Sequence, residues 1–186
     1  MRVCVFCGSS PGKSPVYQDA ARRVGEVFAE RGIELVYGGA SVGTMGVLAD
    51  AVLAGGGKAH GVIPRSLVDR EVAHDGLTSL KVVADLHERK AAMSELADGY
   101  LTLPGGAGTL EELFEVFTWA QLGLHTKPIA LLDVDGYYQP MLRFLENMSA
   151  EGFLAEDFRG MLIVTTEVTE ALERFVDYRP PRTKWT

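Results

Sequence analysis

Basic residues, cysteines and long apolar runs are all scarce in this chain of 186 residues. Lysine and arginine together number 18 against 25 acidic residues, and the net charge of −7 argues against binding to a nucleic-acid polymer, whose phosphates require basic surfaces. No apolar stretch approaches the length that crosses a bilayer, and the first residues lack the charged and then apolar pattern of a targeting leader. These absences predict a cytoplasmic protein that associates with neither nucleic acid nor membrane.

The two cysteines, Cys4 and Cys7, form a C-x-x-C at the end of the first predicted strand. A redox-active pair with this spacing begins a helix, whereas Cys4 lies inside an apolar strand pattern. Two cysteines do not complete a tetrahedral zinc site, and the four histidines are not spaced as metal ligands. Both thiols are predicted to be reduced and structural, and no metal site is predicted.

Segments of strand and helix character alternate along the chain. Short, continuously apolar runs such as residues 3–6 and 129–132 are typical of parallel strands that are buried on both faces. The alternation predicts an α/β fold, a doubly wound parallel sheet with helices on both faces. The predicted strands cover residues 2–7, 34–37, 59–63, 80–83, 99–103, 128–132 and 161–164, and the predicted helices cover 16–31, a segment ending near 54, 85–97, a segment beginning at 109, 137–149 and 168–176.

Residues 1–176 are expected to form a single domain, because no linker, repeat or low-complexity tract interrupts them. Residues 177–186 are predicted to be a tail on the surface. Residues 65–79 are polar with scattered charges and are predicted to form a mobile loop.

Loops rich in glycine and serine directly follow several predicted strands. The four loops cover residues 8–10, 38–46, 64–65 and 104–109. Because the carboxyl ends of parallel strands meet at one edge of the sheet, where ligands bind, we expect these loops to surround one ligand site. Gly8, Ser9 and Gly39 are candidate ligand contacts there, with Ser9 as a hydrogen-bond donor. The glycine spacing matches neither the G-x-G-x-x-G of dinucleotide sites nor a phosphate loop ending in Lys-Ser/Thr, so no NAD, ATP or other cofactor is predicted.

The most informative segment is Pro104-Gly-Gly-Ala-Gly-Thr-Leu-Glu-Glu112, between a predicted buried strand and an amphipathic helix. A glycine loop lets backbone N–H groups approach an anion, and the dipole of the helix that follows favours negative charge at its start. The segment therefore predicts a phosphate site. The predicted contacts are Gly105, Gly106, Ala107, Gly108 and Thr109.

Glu112 has two interpretations. With Thr109 as N-cap, Thr109-x-x-Glu112 is a capping box that contributes about 1 kcal/mol. Two observations favour catalysis: Glu111 and Glu115 crowd the same helix start, and a carboxylate about 4 Å from a phosphate is repelled by about 1 kcal/mol in water and about 4 kcal/mol at an effective dielectric of about 20. Such a carboxylate is tolerated where it faces a part of the ligand that becomes positive. Three residues into the helix, about 4.5 Å along its axis, Glu112 is placed for the anomeric carbon of a ribose whose 5′-phosphate occupies the loop.

Arg89 interrupts the apolar stripe of the helix predicted over residues 85–97. Leu86, Met93 and Leu96 share its face. The arginine either lays its stem over the core with its head in water or in a surface salt bridge, or it enters the ligand site at the edge of the sheet. The residues of this helix leave these alternatives open.

The segment at 104–112 resembles the P-G-G-x-G-T-x-x-E signature of the LOG ("lonely guy") family, the cytokinin riboside 5′-monophosphate phosphoribohydrolases, and His87-Glu-Arg-Lys90 resembles the arginine motif of that family. Ala107 departs from the pattern, since many members have tyrosine there. The resemblance extends over residues 3–169. Further similar segments are residues 7–10, 37–39, 43–46, 61–64 and 118–123.

The resemblance implies a single Rossmann-like domain, usually a homodimer, that hydrolyses the N-glycosidic bond of N6-modified AMP to the free base and ribose 5-phosphate. It implies Arg89 and Glu112 as the catalytic pair, with Glu112 facing the sugar cation and Arg89 orienting it. Lys90 and Met93 are expected to bind the substrate, Met93 as a wall for the base, and Trp119 is a candidate for contact with a partner subunit. No acid for the leaving base, no metal and no pyridoxal phosphate are indicated.

Two other functions share these features. A molybdenum-cofactor carrier with the same fold would bind a phosphorylated pterin through similar loops, without turnover. A broader nucleosidase would act mainly on unmodified AMP or on other 5′-monophosphates, because scattered apolar side chains read the N6 substituent.

Overall fold

In the described part of the chain, residues 1–71 and 73–184 with the side chains at 69 and 71 excepted, seven parallel strands form one sheet in the computed structural model. The strands are β1 (Arg2–Phe6), β2 (Glu34–Tyr37), β3 (Ala59–Pro64), β4 (Ser79–Val83), β5 (Gly99–Thr102), β6 (Ile129–Leu132) and β7 (Leu162–Thr165). They lie in the order β4-β3-β2-β1-β5-β6-β7. The sheet therefore grows from β1 to one side as far as β4, and β5 begins the growth to the other side. This is the doubly wound arrangement that the alternation predicts.

Helices cover both faces of this sheet. They are α1 (Pro15–Glu30), α2 (Gly43–Ala54), α3 (Arg65–Glu71), α4 (Leu86–Leu96), α5 (Ala107–Gln121), α6 (Gln139–Ala150), α7 (Glu156–Arg159) and α8 (Val168–Val176). A short 3-10 turn, Val134–Gly136, comes between β6 and α6. Buried residues of α1, α2 and α8 pack on one face, and those of α4, α5, α6 and α7 pack on the other.

Strand β1 shows why the sheet is apolar on both faces. Val3 and Val5 belong to the core beneath α1 and α2, whereas Cys4 and Phe6 belong to the core beneath α4 and α5. Successive side chains of a strand point to opposite faces, so a strand between two helical layers needs an unbroken apolar run. Such runs are easily recognised, and every predicted strand is confirmed to within one residue at each end.

The loop predicted over residues 65–79 is wrong for residues 65–71, which form α3, and for Ser79, which begins β4; mobility stays a prediction. Helix α3 begins directly after β3 and packs against it, with Leu67 and Val68 partly buried. Beyond α3, the His74 amide donates a hydrogen bond to the Gly39 carbonyl at 3.0 Å. Two apolar residues in one short helix are too few to show helical periodicity in the sequence. The helix depends instead on its packing against the sheet, which the sequence pattern does not reveal.

No helix within residues 1–71 and 73–184 has the length and apolarity needed to cross a membrane. Cytoplasmic location stays a prediction. After α8 the chain returns to the end of α5, where the Lys184 amide donates to the Gln121 carbonyl at 2.9 Å. Residues 185 and 186 of the predicted tail lie outside the described residues, and the division into a domain and a tail stays a prediction.

Candidate active site

Two adjoining cavities lie at the carboxyl edge of the sheet, above β1 and β5, where the direction of strand order changes. The Glu112 cavity, of about 230 Å³, is lined by the ends of β1 and β2 and the starts of α2 and α5, together with α4. The Tyr137 cavity, of about 240 Å³, is lined by the loops that follow β1 and β5. Ser9 and Gly106 line both cavities. Ligands of open α/β sheets bind at this kind of position.

Nine of the twelve predicted site residues reach these cavities. The residues in the Glu112 cavity are Ser9, Arg89, Gly106, Ala107, Gly108, Thr109 and Glu112, and Gly8 and Gly105 join Ser9 and Gly106 in the Tyr137 cavity. Gly39, Lys90 and Met93 line neither. Two larger grooves, of about 620 and 560 Å³, lie beside β7 and between α1 and α2 and contain none of the predicted residues.

Helix α5 begins earlier than predicted. Its N-cap is Gly106, with φ −90° and ψ −159°, and no side chain caps it. Thr109 is therefore the third helical residue and not the cap, so the predicted capping box is wrong. Glu112 becomes the sixth helical residue, about 7.5 Å along the axis from Ala107 instead of the predicted 4.5 Å. The first N–H groups of α5 have no intrahelical acceptor and no side-chain cap, and the residues that carry them line the Glu112 cavity.

Thr109 packs back against the glycine loop. It is buried, and a Cβ atom at Gly105 would lie 2.1 Å from Thr109 Oγ1. Only glycine at position 105 allows the loop to approach the first turn of α5 this closely. The loop and the helix start thus form one rigid unit.

Arg89 is buried in the site, with only 7% of its surface exposed. Its Nη2 donates to the Gly38 carbonyl at 3.2 Å, and its Nε has no hydrogen-bond partner. A Cβ atom at Gly38 would lie 2.0 Å from Arg89 Nη2, so the guanidinium fits only because position 38 is glycine. The interpretations of Arg89 as a surface arginine are wrong. Leu86, on the same predicted stripe, is the exposed residue instead.

The charges of Arg89 and Glu112 act on the same wall of the cavity. Burial raises the pKa of the Cys7 thiol to about 12, a hydrogen bond with Thr44 lowers it, Glu112 raises it and Arg89 lowers it. Both charges therefore act on one sulfur atom, and all three residues line the same cavity. Cys7 is free and lines the cavity as a neutral thiol, so it is reduced, as predicted, but contributes to the site as well as to the core.

Lys90 points away from the cavity and ties α4 to α5. Its ammonium forms ion pairs with Glu111 and, at 3.0 Å, with Glu115, and its side chain is 8% exposed. Desolvation alone would lower the pKa of Lys90, but these two partners raise it above its ordinary value. The crowding of glutamates at this helix start is thereby explained: two of them bind Lys90, while Glu112, between them, lines the cavity.

Met93 and Gly39 support the site from behind. Met93 is buried in the core beneath α4 and α5, so it is not the expected wall for a base; the methionine that lines the cavity is Met45, at the start of α2. Gly39 has φ +80° and turns the chain out of β2, with its carbonyl accepting from His74. Sequence reasoning missed Gly38, although the Gly-Gly pair after a strand marked the place.

Known proteins resemble this chain over most of its length. Residues 45–175 match the protein family described as "Possible lysine decarboxylase". The cytokinin riboside 5′-monophosphate phosphoribohydrolase LOG of Oryza sativa subsp. japonica is 50% identical over 179 residues, which are 96% of this chain and 74% of that protein. The phosphoribohydrolase LOG7 of Arabidopsis thaliana is 49% identical over 179 residues, 96% of this chain and 82% of the relative.

Solved structures share the fold at lower identity. The molybdenum cofactor carrier protein of Chlamydomonas reinhardtii has a TM-score of 0.71 at 19% identity, covering 95% of this chain and 98% of that one. The molybdenum cofactor binding protein of Rippkaea orientalis has a TM-score of 0.66 at 19% identity, covering 95% and 93%. At this identity the likeness shows the Rossmann-like fold alone. The identity to the plant proteins over nearly the whole chain shows more, and the chain belongs to the LOG family.

Proposed function

We propose that this protein hydrolyses the N-glycosidic bond of N6-modified adenosine 5′-monophosphates, and of AMP, to the free base and ribose 5-phosphate. The names of its relatives support the reaction. The observation that carries the proposal is the placement of Arg89 and Glu112 in one cavity with the uncapped start of α5. An anion site next to a carboxylate is the arrangement that cleavage of a phosphorylated glycoside requires.

The start of α5 is the proposed phosphate site. The N–H groups of its first turn and the positive end of the helix dipole favour an anion there. The glycine loop brings backbone close to the ligand, and Ser9 lines the same cavity. Binding energy from the phosphate, which does not react, holds the sugar in place for the bond cleavage.

Glu112 is the proposed stabiliser of the sugar cation. Glycosidic cleavage passes through an oxocarbenium-like transition state, which a carboxylate stabilises electrostatically or as a nucleophile. Glu112 lies more than one helical turn beyond the phosphate site, so the cation and not the phosphate faces its charge. Arg89 offsets that charge, and its Nε–H, which has no protein partner, is available to an acceptor atom of the ligand.

These features favour hydrolysis over two other functions, that of a molybdenum-cofactor carrier and that of the lysine decarboxylase named in the family description. A carrier that only binds a phosphorylated pterin forms no sugar cation, so the negative charge of Glu112 would have no developing positive charge to stabilise there. A lysine decarboxylase with pyridoxal phosphate needs a lysine for a Schiff base. Among the described residues that line the Glu112 cavity, Arg89 is the cation and lysine is absent, since Lys90 is held by Glu111 and Glu115.

Base release from isopentenyladenosine monophosphate and from AMP tests the proposal directly. We expect Glu112→Gln to lower kcat by about 10²–10³-fold, the usual effect of removing a group that stabilises transition-state charge, and Arg89→Ala to lower it comparably. Glu111→Gln is the matched control, because it changes the neighbouring carboxylate that faces Lys90, and its kcat should stay within about twofold of the wild type. Intact nucleotide after prolonged incubation with folded protein, or a tightly bound pterin in the purified protein, would overturn the proposal. Equal kcat values for Glu112→Gln and Glu111→Gln would overturn the role of Glu112.

We extend the proposal to a homodimer. Leu80 and Val82 on the edge strand β4 and Leu86 at the start of α4 are exposed apolar side chains, whereas Trp119 packs partly against the core beneath α5. Light scattering should give a mass near twice the chain mass of 20.2 kDa. A mass of one chain at micromolar concentration would contradict the dimer without affecting the proposed reaction.

A further inference from the structure

The turn between β6 and α6 is held in a strained shape by a buried carboxylate. Asp133, which is buried, accepts hydrogen bonds from the Tyr138 amide at 2.8 Å and from Gln139 Nε2 at 2.5 Å. Asp135 in the middle of the turn has φ +52°, in the left-handed region that a non-glycine residue rarely adopts. Strain of this kind persists where the surroundings impose it, and it is often found near functional sites.

The turn aims two consecutive tyrosine hydroxyls at the loop that leads into α5. Tyr138 Oη donates to the Leu103 carbonyl at 2.7 Å, and Tyr137 Oη donates to the Gly105 carbonyl at 2.6 Å. Both acceptors belong to the segment between β5 and the N-cap of α5. The two bonds therefore fix this segment at two points that are two residues apart.

The bond to Gly105 also sets the direction of the next amide. The peptide unit between Gly105 and Gly106 is trans and planar, so its C=O and N–H groups point in opposite directions. With the carbonyl held toward Tyr137, the Gly106 N–H is directed away from that ring. Gly106 is the N-cap of α5 and lines the Glu112 cavity.

We propose that Tyr137 and Tyr138 form a brace that holds the glycine loop in its anion-binding conformation, with Tyr137 as a positioning residue that orients the Gly106 amide toward the phosphate of the substrate. This role rests on the proposed function, because it assigns the phosphate to the start of α5. The brace acts through the loop and not by contact with the base or the sugar.

Aromatic contacts connect the brace to the first glycine loop. The Tyr137 ring packs edge-on against Tyr138, with centroids 4.9 Å apart, and against Tyr17, with centroids 5.6 Å apart. Tyr17 in turn fills the space beside Gly12, where a Cβ atom would lie 2.6 Å from its ring. The brace thus joins the loops after β1 and β5, which form the two sides of the Tyr137 cavity.

Because Tyr137 is exposed, its effect on the position of the loop can be measured apart from its effect on the stability of the domain. Its side chain lies at the surface, with 41% of the residue exposed, so its hydroxyl can bond to water in the unfolded and folded protein alike. A single exposed hydrogen bond adds little to stability. Removing the hydroxyl while keeping the ring should therefore change the loop without unfolding the domain.

Tyr137→Phe tests the brace, with Tyr178→Phe as the matched control, because Tyr178 Oη is buried without a hydrogen-bond partner and lies in the tail. We expect Tyr137→Phe to raise both the KM for AMP and the inhibition constant of ribose 5-phosphate about tenfold, the equivalent of one hydrogen bond, with kcat within about threefold of the wild type. The Tm of this variant should fall by no more than about 6 °C, the upper limit for the loss of one such bond in a domain of this size. Tyr178→Phe should leave the KM, the inhibition constant and kcat unchanged, and its Tm should not fall, because it removes a buried hydroxyl without a partner.

Two results would overturn the brace. An unchanged inhibition constant for ribose 5-phosphate in Tyr137→Phe would show that the hydroxyl does not orient the loop. A raised KM for AMP with unchanged ribose 5-phosphate affinity would show that Tyr137 contacts the base directly. Tyr138→Phe, which removes a buried donor, should show the same loss of ribose 5-phosphate affinity together with a lower Tm. If the wild type releases no base, the proposed reaction fails, yet titration calorimetry with ribose 5-phosphate on the same variants still decides whether the brace exists.

Discussion

Helices α2 and α5 both begin after a glycine-rich loop at the same edge of the sheet, and neither has a side-chain cap. At α2 the chain itself fills the helix start: the Thr44 and Met45 amides lie 3.1 and 3.4 Å from the Gly8 carbonyl, and Thr44 Oγ1 donates to the same oxygen at 3.0 Å. The first turns of both helices line the cavities of the site, but among the described residues no carbonyl of another loop accepts a backbone hydrogen bond from the start of α5, which lies in one cavity with Arg89 and Glu112.

The difference lies in what occupies the positive end of each helix. The Gly8 carbonyl acts as an internal ligand of α2 and docks the loop after β1 onto that helix. At α5 we expect the phosphate of the substrate to take the corresponding place. Both loops are rich in glycine, so their composition does not distinguish them. They differ because the Gly8 carbonyl, which follows β1, accepts hydrogen bonds from the start of α2. We therefore expect α2 to stabilise the fold and α5 to bind substrate.

The largest expected effect comes from a substitution that disturbs the contact between the glycine loop and the first turn of α5. In Gly105→Ala the new Cβ atom would overlap Thr109, so the first turn of α5 must move. We expect kcat/KM for AMP to fall by about 100-fold or more and the free energy of unfolding to fall by about 1–3 kcal/mol. The control is Gly160→Ala, outside both cavities, where a Cβ atom would lie 3.4 Å from its nearest neighbour, an ordinary contact. Full activity of Gly105→Ala would remove the loop from the substrate site.

Ribose 5-phosphate should stabilise the protein through α5 and not through α2. At 100 times its Kd, a ligand of the folded state adds about 2.7 kcal/mol to the free energy of unfolding, which raises the Tm of a domain of this size by about 5–10 °C. We expect this rise in the wild type and in Thr44→Val, and its loss in Gly105→Ala. Differential scanning fluorimetry measures it. A rise that persists in Gly105→Ala would place the anion elsewhere.

Removing one threonine hydroxyl from the start of each helix compares α2 with α5 directly. Thr44→Val removes the bond to Gly8 and should lower the free energy of unfolding by about 1 kcal/mol while KM for AMP changes by less than about twofold. Thr109→Val removes a hydroxyl that lies in the cavity wall and should raise KM about tenfold with a smaller loss of stability. Chemical denaturation and steady-state kinetics give both quantities. The reverse pattern would exchange the roles of the two helices.

The smallest effect concerns Cys7, whose pKa is influenced by both helix starts. Glu112 raises this pKa, so Glu112→Gln should lower it, and the thiolate fraction at pH 10 should increase. Thr44 lowers the pKa, so Thr44→Val should decrease the thiolate fraction at the same pH. Alkylation by iodoacetamide, followed by mass spectrometry of the peptide that contains Cys7, reports the change. Burial remains the main reason that the pKa of Cys7 is raised in each variant. Equal alkylation rates in the wild type, Glu112→Gln and Thr44→Val would show that neither the carboxylate nor the hydroxyl acts on the thiol.

The strands were predictable because burial on two faces leaves a simple record, an unbroken apolar run such as that of β1. The start of α5 was not, because statistical preference favours Thr109 as a cap, while the structure uses Gly106 and has no capping side chain. Helix α3 was missed because its order depends on packing against β3 rather than on its own periodicity.

Part of the candidate site could also be predicted from the sequence. Glu112 and Arg89 stood out as charges in apolar or glycine-rich patterns, and both reach the cavity. Lys90 follows Arg89 directly, and successive helical side chains diverge by about 100°, so the two cations face different neighbours. Which of them faces the cavity depends on the packing of α4 against α5. Tyr137 is more distant still, because the sequence separates it from the loop it contacts by 32 positions.

Strand β1 is the middle strand of seven in the described chain, and the reacting groups stand above it. Either margin of the sheet is three strand spacings away, about 14 Å. Additions at those margins, whether a fused tag, an extra strand or a bound neighbour along β7, would lengthen the protein without displacing the groups at its centre. The candidate site thus lies at the centre of the sheet, whereas the edge strands β4 and β7 are the places where additional structure would leave the site undisturbed.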